Sequence, residues 1–587
     1  MNRKIISMLL ALVLFLTLLP TAAFAAGETP YTAGAPAGGT YTISTAEQLK
    51  ALADAVNGGE PYKNTTFTLT QDIDLSSVCS PYLNGGTNWE PIGSYLRYTA
   101  PSNKYFFGSF DGGGHTVSGL YIHRKDREMA LFGVLNGGTV KNLRVSGEVS
   151  GTGNPCGVVG RNFGTVENCV NDCTVSGEWG AAGIVGYNAG TVKNCVNNGT
   201  ISGEGVVGGI VGDNNGTLIN CENRGEVSGE LGTAGGIAAI NRVTLENCFN
   251  RAKVSSIHEA GGIAGDNSGV VKNCYNTGTV RVGPIDGYGP SVGGVVCGNT
   301  GTVECCYNVG ETVVIDPEFD YITPPSVGGV AASSYKGTVK NCYYLLGTAT
   351  EGIGKNRGSG MAVGLTKEAF AKAGSFAGWD FAATWGMSTD AADPRPVLRS
   401  IPEHDYQSGS TPVESSFTDV SPTAYYAVPV AWAVKQEITA GTGGGKFSPN
   451  AICTRAQAMT LLWKAMGSPA VSTENSFSDV PDDAYYCDAV NWAVANGVTS
   501  GTGDGKFSPH AACTRAQIVT FLWKAAGGQT IGGNVFSDVP AAAYCSKAVS
   551  WAVANGITAG TGDGKFSPDQ NCTRAQIVTF LWHSMGE

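Results

Sequence analysis

The feature that most constrains this chain is a motif that returns about every 26 residues through its middle. One copy, at 183–203, reads GIVGYNAGTVKNCVNNGTISG. A cysteine marks each copy, and successive marker cysteines are 26, 26, 27, 26, 32 and 36 residues apart. They are Cys169, Cys195, Cys221, Cys248, Cys274, Cys306 and Cys342. Self-similarity at a fixed period of this size indicates stacked repeats.

The residues within one copy predict β-strands. Each copy holds two short β-branched runs separated by Gly and Asn, which tolerate positive φ in turns. In the second run Val192 should point inward and Lys193 outward, so the charges that recur at the outward position should form a solvated face. The predicted fold class is mainly β, a right-handed parallel β-helix with caps.

The marker cysteines are predicted to form a buried column of free thiols. Buried thiols stack as small hydrophobes, and these cysteines lack the paired spacing with His or carboxylate partners that a metal site needs. No metal and no cofactor is therefore predicted. The asparagines that precede most marker cysteines should form a hydrogen-bonded ladder at a corner; they stand at positions 168, 194, 220, 247, 273 and 341.

The N-terminus has the composition of a secretory signal peptide. Arg3 and Lys4 precede an apolar run that ends in Pro20 and the small-residue site Ala23-Phe24-Ala25. Removal of 1–25 changes the formal charge from −11 to −13, since two positive and no negative side chains are lost. A mature chain this acidic argues against a nucleic-acid partner. No later apolar run has transmembrane length, so no transmembrane anchor is predicted.

Composition shifts and repeat boundaries divide the chain into eight parts. The predicted boundaries are 1–25 for the signal peptide, 26–64 for an N-terminal segment with a cap helix, 65–347 for the β-helix, 348–400 for a C-terminal cap, 401–416 for a linker, and 417–468, 477–527 and 536–587 for three further units.

The stretch from about 40 to 400 resembles bacterial surface β-helices with GLUG-type repeats. The pattern that carries this resemblance is Gly-Gly-Ile-Val-Gly followed by Asn-Cys-x-Asn. The resemblance implies a displayed module, because such repeats occur in adhesin-like proteins and as accessory parts of surface proteases. It does not identify a ligand.

Parallel β-helices also host polysaccharide lyases and glycosidases, which need clustered carboxylates or basic residues in a groove. The candidates here are Asp111, His115 and Glu90, and they lie in segments that read as structural rungs. The six histidines form no metal-binding motif and no triad order. We therefore predict that the chain is not an enzyme.

Two repeats carry insertions at the same point, so both insertions should lie on one side of the rod. The inserted sequences are RVGPIDGYGPS and VVIDPEFDYITPPS. Their aromatic and acidic residues would form one patch, suited to a sugar, a protein or a weak Ca²⁺ site. The alternative is a pair of ordinary surface loops. The candidate patch residues are Asp286, Tyr288, Asp316, Glu318, Phe319, Asp320 and Tyr321.

The last 170 or so residues hold a second repeat, which occurs three times in register. Each unit reads F-[ST]-D-V, a helix, a Gly-Thr-Gly-x-Gly-Lys-Phe-Ser-Pro turn, and Cys-Thr-Arg-Ala-Gln at the start of a second helix. These units resemble S-layer homology (SLH) domains. The resemblance implies three small helical domains in a pseudo-trimer that bind secondary cell-wall polysaccharide, often pyruvylated, without a covalent bond. It places the chain at the cell wall or S-layer surface of a Gram-positive type envelope.

The repeated motif supplies candidates for contact with that polysaccharide. The Thr-Arg-Ala-Gln motif is a capping box that puts an arginine at a helix N-terminus, where amide N–H groups and the guanidinium favour a carboxylate. The alternative for the Asp and Trp positions is a turn cap and a core residue. The candidates are Arg455, Arg515, Arg574, Asp419, Asp479, Asp538, Lys446, Lys506, Lys565, Trp432, Trp492 and Trp551.

The sequence thus predicts a secreted, wall-tethered surface protein whose β-helix is a binding or structural module with an unknown glycan or protein ligand. Two alternatives stay open: a wall-anchored enzyme acting on polysaccharide from the β-helix, and a lattice-forming S-layer component.

Overall fold

The computed structural model describes residues 29–83, 85–94, 104–125, 128–283, 289–316, 321–401, 417–420, 424, 426–470, 476–529, 536–558, 560–561 and 565–585. The predicted signal peptide lies outside these residues, as does the predicted linker apart from Ile401.

A helix covers the N-terminal end of the solenoid. Helix α1, Ala46–Gly58, begins after Thr45, whose hydroxyl accepts a hydrogen bond from the Gln48 N–H. Leu49 and Leu52 on its inner face are fully buried in the solenoid core. Since an open β edge invites pairing with other chains, this helix protects the first rungs.

Within the described residues, nine strands precede the regular repeats. They are β1 Thr29–Pro30, β2 Thr40–Ile43, β3 Thr66–Leu69, β4 Ile73–Asp74, β5 Ser109–Asp111, β6 Thr116–Arg124, β7 Phe132–Leu135, β8 Thr139–Lys141 and β9 Arg144–Gly151.

Six regular rungs follow, each made of five short strands. In chain order they are β10 Val159–Asn162, β11 Thr165–Glu167, β12 Val170–Asn171, β13 Thr174–Gly177, β14 Gly180–Ala182; β15 Val185–Asn188, β16 Thr191–Lys193, β17 Val196–Asn197, β18 Ile201–Gly203, β19 Val206–Gly208; β20 Val211–Asn214, β21 Thr217–Ile219, β22 Glu222–Asn223, β23 Val227–Gly229, β24 Thr233–Gly235; β25 Ala238–Asn241, β26 Thr244–Glu246, β27 Phe249–Asn250, β28 Val254–Ser256, β29 Glu259–Gly261; β30 Ala264–Asn267, β31 Val270–Lys272, β32 Tyr275–Asn276, β33 Val280–Val282, β34 Ser291–Gly293; and β35 Val296–Asn299, β36 Thr302–Glu304, β37 Tyr307–Asn308, β38 Thr312–Val314, β39 Ser326–Gly328.

Corresponding strands of successive rungs pair in parallel, which confirms the parallel β-helix. Val192, for example, stands between Val166 and Leu218 of the neighbouring rungs, and all three are fully buried. Lys193 points outward and its Nζ lies 2.9 Å from a carboxylate oxygen of Glu167 one rung below. The inward and outward positions are those that the alternation of the sequence predicts.

The solenoid ends in two long strands and an aromatic cap. Strands β40, Ala331–Leu345, and β41, Ile353–Leu365, pair in parallel, so the sheet runs beyond the predicted end at 347. The last rung lacks the Asn-Cys signature but keeps the backbone pairing. Helix α2, Lys367–Phe370, and the antiparallel pair β42, Trp385–Met387, and β43, Pro396–Leu398, follow.

All seventeen cysteines are buried free thiols. The marker cysteines form one column inside the rod, and the main-chain N–H of Cys221 points at the sulfur of Cys248, 3.3 Å away. Burial raises the pKa of the Cys342 thiol well above its ordinary value. The marker cysteines therefore pack as small apolar side chains in the core of the rod.

The corner asparagines adopt the left-handed conformation, with φ between 51° and 55°. The Nδ2 groups of Asn168, Asn194 and Asn220 each donate to the Oδ1 of the asparagine one rung below, at 3.0–3.1 Å. Asn273 departs from this ladder and donates to Glu246. The predicted corner ladder is thus present over the first rungs.

Two further asparagine ladders are fully buried. In each, the side-chain amide donates to the next amide oxygen at 2.7–2.9 Å. The ladders are Asn162, Asn188, Asn214, Asn241, Asn267 and Asn299, and Asn171, Asn197, Asn223, Asn250, Asn276 and Asn308. A buried amide is costly unless bonded, so these ladders fix the register of the rungs.

We expect Asn214→Ala to lower the free energy of unfolding of the β-helix by about 2 kcal/mol, because it leaves buried amide groups without partners. Asn214 accepts from Asn188 at 2.8 Å and donates to Asn241 at 2.8 Å. Chemical denaturation of the full chain measures the change. Asn215→Ala is the control, since the side-chain amide of Asn215 donates to the partly exposed Asp213 outside the ladders. An equal loss in both variants would contradict the ladder's role.

The C-terminal units are helical, with two helices each. They are α3 Ala427–Lys435 and α4 Arg455–Ala465 in the first unit, α5 Cys487–Ala495 and α6 Arg515–Ala525 in the second, and α7 Ser546–Ala554 and α8 Arg574–Met585 in the third.

The third unit packs on the solenoid cap. The Thr366 N–H donates to the carbonyl of Ala554 at 3.1 Å. Lys372 Nζ donates to the carbonyl of His583 at 3.3 Å. A Cβ at Gly374 would lie 1.6 Å from the His583 ring, so the ring lies directly against that glycine.

Candidate functional site

The three C-terminal units close into a ring through main-chain hydrogen bonds at one point. The Cys453 N–H donates to the Cys572 carbonyl at 3.0 Å, Cys513 to Cys453 at 2.9 Å, and Cys572 to Cys513 at 2.9 Å. The second helix of each unit packs on the first helix of the next, as the pairs α4 with α5, α6 with α7 and α8 with α3. The predicted pseudo-trimer is confirmed.

The capping boxes that the sequence predicts begin the second helix of the first two units. The Thr514 hydroxyl accepts from the Gln517 N–H at 3.3 Å, and the Gln517 side chain accepts from the Thr514 N–H at 3.1 Å. Thr454 and Gln457 do the same. The third unit has the same pair of bonds between Thr573 and Gln576. Each motif arginine is therefore the first helical residue.

The motif arginines lie in the seams between units. Their side chains are only 3–7% exposed. Each Nε donates to the carbonyl of the turn phenylalanine in the next unit: Arg455 to Phe507 at 3.0 Å, Arg515 to Phe566 at 2.8 Å, and Arg574 to Phe447 at 3.0 Å. The arginines thus hold the ring together, a role that the sequence did not predict.

Aromatic rings flank the guanidinium groups. The Arg515 guanidinium lies 4.9 Å from the ring centroid of Phe566 and 5.3 Å from that of Phe580, which is cation–π geometry. Its Nη2 donates to the Thr558 hydroxyl at 3.3 Å. Burial lowers the pKa of Arg455, but an arginine keeps its charge at any physiological pH. Each seam therefore contains a fixed positive charge.

The motif aspartates act as turn caps. Asp479 accepts from the N–H groups of Phe507 and Ser508 at 2.8 and 2.9 Å, and Asp419 and Asp538 make the same pair of bonds in their own units. Burial alone would raise the pKa of Asp479, but the two N–H donors outweigh it and lower that pKa. The geometry favours the turn-cap interpretation of these three residues.

The tryptophans are mostly core residues. Trp492 and Trp551 are 5% and 7% exposed, and Trp432 is half-buried. The turn lysines, in contrast, are exposed on the surface of each unit: Lys446, Lys506 and Lys565. Each turn lysine directly precedes the phenylalanine whose carbonyl accepts from a motif arginine, so the main chain of the lysine borders a seam. Of the predicted contacts, the lysines are the most accessible.

Two exposed tyrosines also border the seams, and the sequence analysis did not select them. Tyr485 and Tyr544 are 65% and 68% exposed. Tyr544, in the third unit, is an electrostatic neighbour of Arg455 in the first, and Tyr485 is one of Arg574. Burial of the ring edge raises the pKa of Tyr544. In the sequence, these tyrosines are marked by an Ala-Tyr pair that follows the F-[ST]-D-V start of each unit. The third such tyrosine, Tyr425, lies outside the described residues.

The predicted β-helix patch is only partly described. The two insertions are neighbours, since the Gly289 N–H donates to the Thr323 hydroxyl at 3.2 Å and the Ser326 N–H to the Pro290 carbonyl at 2.9 Å. The Tyr321 hydroxyl donates to the Asp316 carbonyl at 3.3 Å. The other patch residues lie outside the described residues: Asp286, Tyr288, Glu318, Phe319 and Asp320.

The β-helix candidates for catalysis have structural partners. Asp111 accepts from the Gly113 N–H at 2.9 Å and lies 3.1 Å from Lys141 Nζ. Glu90 pairs with Arg124 at 2.5 Å. The described ranges contain no group of three or more His, Cys, Asp or Glu side chains that could hold a metal ion. Nor does any described helix have the length and apolar character needed to cross a membrane.

Comparison with known proteins identifies the C-terminal units. The S-layer homology domain family matches at 416–459, 476–519 and 535–578. A cell surface protein of Thermoanaerobacter kivui is 33% identical over 22% of this chain and 17% of its own length. A cellulosome-anchoring protein of Acetivibrio thermocellus is 27% identical over 25% of this chain and 34% of its own. An endoglucanase of Bacillus sp. is 28% identical over 28% of this chain and 19% of its own.

This chain therefore spans about a third or less of the length of these relatives. Among solved structures, a putative immunoglobulin A1 protease from Bacteroides ovatus is 18% identical, and the comparison covers 62% of this chain and 93% of that chain with a TM-score of 0.32. The C-terminal region of this chain is an array of three S-layer homology domains, and the chain is a protein of the cell surface.

Proposed function

We propose that the three seams of the C-terminal ring bind secondary cell-wall polysaccharide through its carboxylate groups, pyruvate ketals above all, and thereby anchor the chain without a covalent bond. The observation that carries the proposal is the threefold recurrence of a buried arginine whose carbonyl partner, the turn phenylalanine, directly follows an exposed lysine. Exposed tyrosines add stacking surface at two of the seams.

Electrostatics support this ligand class. The whole chain has a formal charge of −11, so a polyanion can be held only where positive charge is concentrated. Each seam contains a fixed guanidinium and a mobile ammonium, and a helix N-terminus adds N–H dipoles. Binding should therefore weaken as the salt concentration rises.

The β-helix is, in this proposal, the module displayed outward, with a binding or structural role and no catalysis. The engagement of Asp111 and Glu90 in a turn and an ion pair supports that role.

Pull-down of the full chain with purified sacculi tests the anchor. We expect Lys446, Lys506 and Lys565, changed together to Ala, to reduce binding at least tenfold without loss of folding, because all three side chains are exposed. The matched control removes three other exposed lysines of the array, Lys435, Lys464 and Lys547. Tyr485→Ala with Tyr544→Ala should also weaken binding.

The second arm of the pull-down experiment uses sacculi from which the acid-labile polysaccharide has been removed. The wild-type chain should not bind them. Undiminished binding to stripped sacculi, or an equal effect of the two lysine triples, would contradict the proposal.

A further inference from the structure

The β-helix contains a cleft on its outer surface, at the corner between β13 and β14, which is four rungs before the first insertion at the corresponding corner between β33 and β34. It encloses about 420 Å³ between the turn at 152–154 and strand β15. Its lining includes Trp179, Tyr187, Arg161, Glu128 and Asn154. A cleft of this volume is in the range of small-ligand sites.

Trp179 is the most unusual residue of this cleft. It stands in the turn between β13 and β14 and is 70% exposed, although an exposed indole costs hydrophobic free energy. Cys156 pairs with Ala182, and in the same register Gly153 of the preceding rung lies next to Trp179. Gly205 is the corresponding residue of the following rung. A Cβ at Gly205 would lie 1.8 Å from the Trp179 carbonyl oxygen. The indole therefore projects with no side chain on either neighbouring rung.

The opposite wall of the cleft is aromatic and charged. Arg161 and Tyr187 are register partners on β10 and β15, and the guanidinium lies 4.7 Å from the tyrosine ring centroid. Glu128 lies 3.6 Å from the Arg161 guanidinium, and only 10% of its side chain is exposed. This wall is preorganised because the ion pair and the cation–π contact hold both polar groups.

The floor of the cleft is bare backbone. Gly160 and Gly186 are successive members of one glycine column. A Cβ at Gly186 would come within 2.9 Å of the Gly160 carbonyl oxygen and 3.2 Å of the Asn154 carbonyl oxygen. The absence of side chains at these positions gives the cleft its depth.

We infer that this cleft is a glycan-binding site, in which a pyranose ring stacks on Trp179 and its hydroxyls bond Asn154, Glu128 and Arg161. An exposed aromatic face binds the C–H surface of a sugar, while carboxylate, guanidinium and amide groups bond adjacent hydroxyls. Glu128 offsets one of the two cations that line the cleft, Arg161 and Lys125, so a hexose or pentose polymer that is neutral or carries few carboxylates is the expected class.

The position of the cleft suits a surface-displayed site. Six rung steps separate β15 from β41, which is about 29 Å at 4.8 Å per step, and the third SLH domain packs beyond β41. The inference rests on the proposal that the β-helix is the displayed module, but glycan binding and wall anchoring use different surfaces.

Affinity electrophoresis of the full chain through gels containing xylan, laminarin, mannan, pullulan or mucin tests the inference. We expect at least one polysaccharide to retard the chain, and Trp179→Ala to raise its Kd at least tenfold while Trp179→Phe retains most of the affinity. Leu231→Ala is the matched control, because Leu231 is 62% exposed in the corresponding turn two rungs further on. Sacculus binding by Trp179→Ala should equal that of the wild type.

Three results would overturn the inference: retardation by none of the five probes, equal retardation of the wild type and Trp179→Ala, or retardation by mucin that survives removal of its glycans. Loss of sacculus binding by the wild-type chain would instead refute the anchor and leave the glycan site standing.

Discussion

Arg515→Ala is expected to lower the free energy of unfolding of the C-terminal ring by about 3 kcal/mol. The substitution leaves the buried Phe566 carbonyl without its donor, which the Arg515 Nε supplies at 2.8 Å, and it removes the guanidinium between two phenylalanine rings. A domain of this size should then melt about 6–12 °C lower. Calorimetry of the full chain measures the shift.

Two variants make this prediction specific. Arg515→Lys keeps the charge but lacks the planar fork, so it should recover only part of the stability. Lys547→Ala removes an exposed cation from the adjoining helix α7 and should change the melting temperature by no more than about 1–2 °C. A melting temperature of Arg515→Ala equal to that of Lys547→Ala would refute a structural role of the arginine.

This structural role changes how wall-binding experiments must be designed. An Arg-to-Ala variant that no longer binds sacculi is ambiguous, because the ring is destabilised at the same time as the charge is lost. The exposed turn lysines are the better probes, because their side chains lie on the surface of each unit. The tyrosines are less clean, since Tyr544 of the third unit interacts with Thr514 of the second and with Arg455 of the first.

Much of the β-helix follows from the sequence because its periodicity is local. A 26-residue repeat with alternating apolar positions fixes which side chains face inward, and Val192 and Lys193 lie as that alternation predicts. The buried asparagine ladders were also visible as a repeated letter. The pattern could not distinguish a corner asparagine such as Asn194 from a buried one such as Asn197, because both recur at the same spacing.

The seams of the ring could not be predicted from one unit. Arg515 begins a helix in the second domain, but its bonds go to Phe566 and Thr558 of the third. The capping box at the start of a helix involves residues that are close in sequence, so one unit is enough to predict it. The contacts in the seams depend on how the three domains pack against one another. The same limit applies to Trp179, whose exposure results from glycines in the rungs on both sides.

Acidification from pH 8 to pH 5.5 is expected to weaken the packing of the third SLH domain on the solenoid cap. His583 is nine-tenths buried against Gly374, and among the described residues its Nδ1 has no hydrogen-bond partner. Burial, assisted by the charge of Lys372, lowers the pKa of His583 to about 4. The folded state therefore holds this imidazole neutral where the unfolded state would protonate it.

The sign of the effect follows from linkage. Between an unfolded pKa of about 6.5 and a folded pKa of about 4, only the unfolded chain binds the proton, so stability falls as pH falls through that window. The full window corresponds to about 3 kcal/mol, and about 1 kcal/mol of it is lost by pH 5.5. A lower limit of pH 5.5 keeps the experiment above the sequence pI of 5.2, where the chain would be least soluble.

Limited proteolysis and thermal unfolding of the full chain at pH 8.0, 6.5 and 5.5 measure this loss. His583→Gln should remove the part of the pH dependence that this imidazole contributes, since glutamine does not titrate. His510→Gln is the matched control, because His510 is an exposed histidine in a turn of the second domain. A parallel loss of stability in His583→Gln and the wild type between pH 6.5 and 5.5 would contradict this prediction, because the proton uptake would then belong to another group. The contact between the third SLH domain and the cap would in that case depend on the hydrogen bonds of Thr366 and Lys372 and not on the charge of His583.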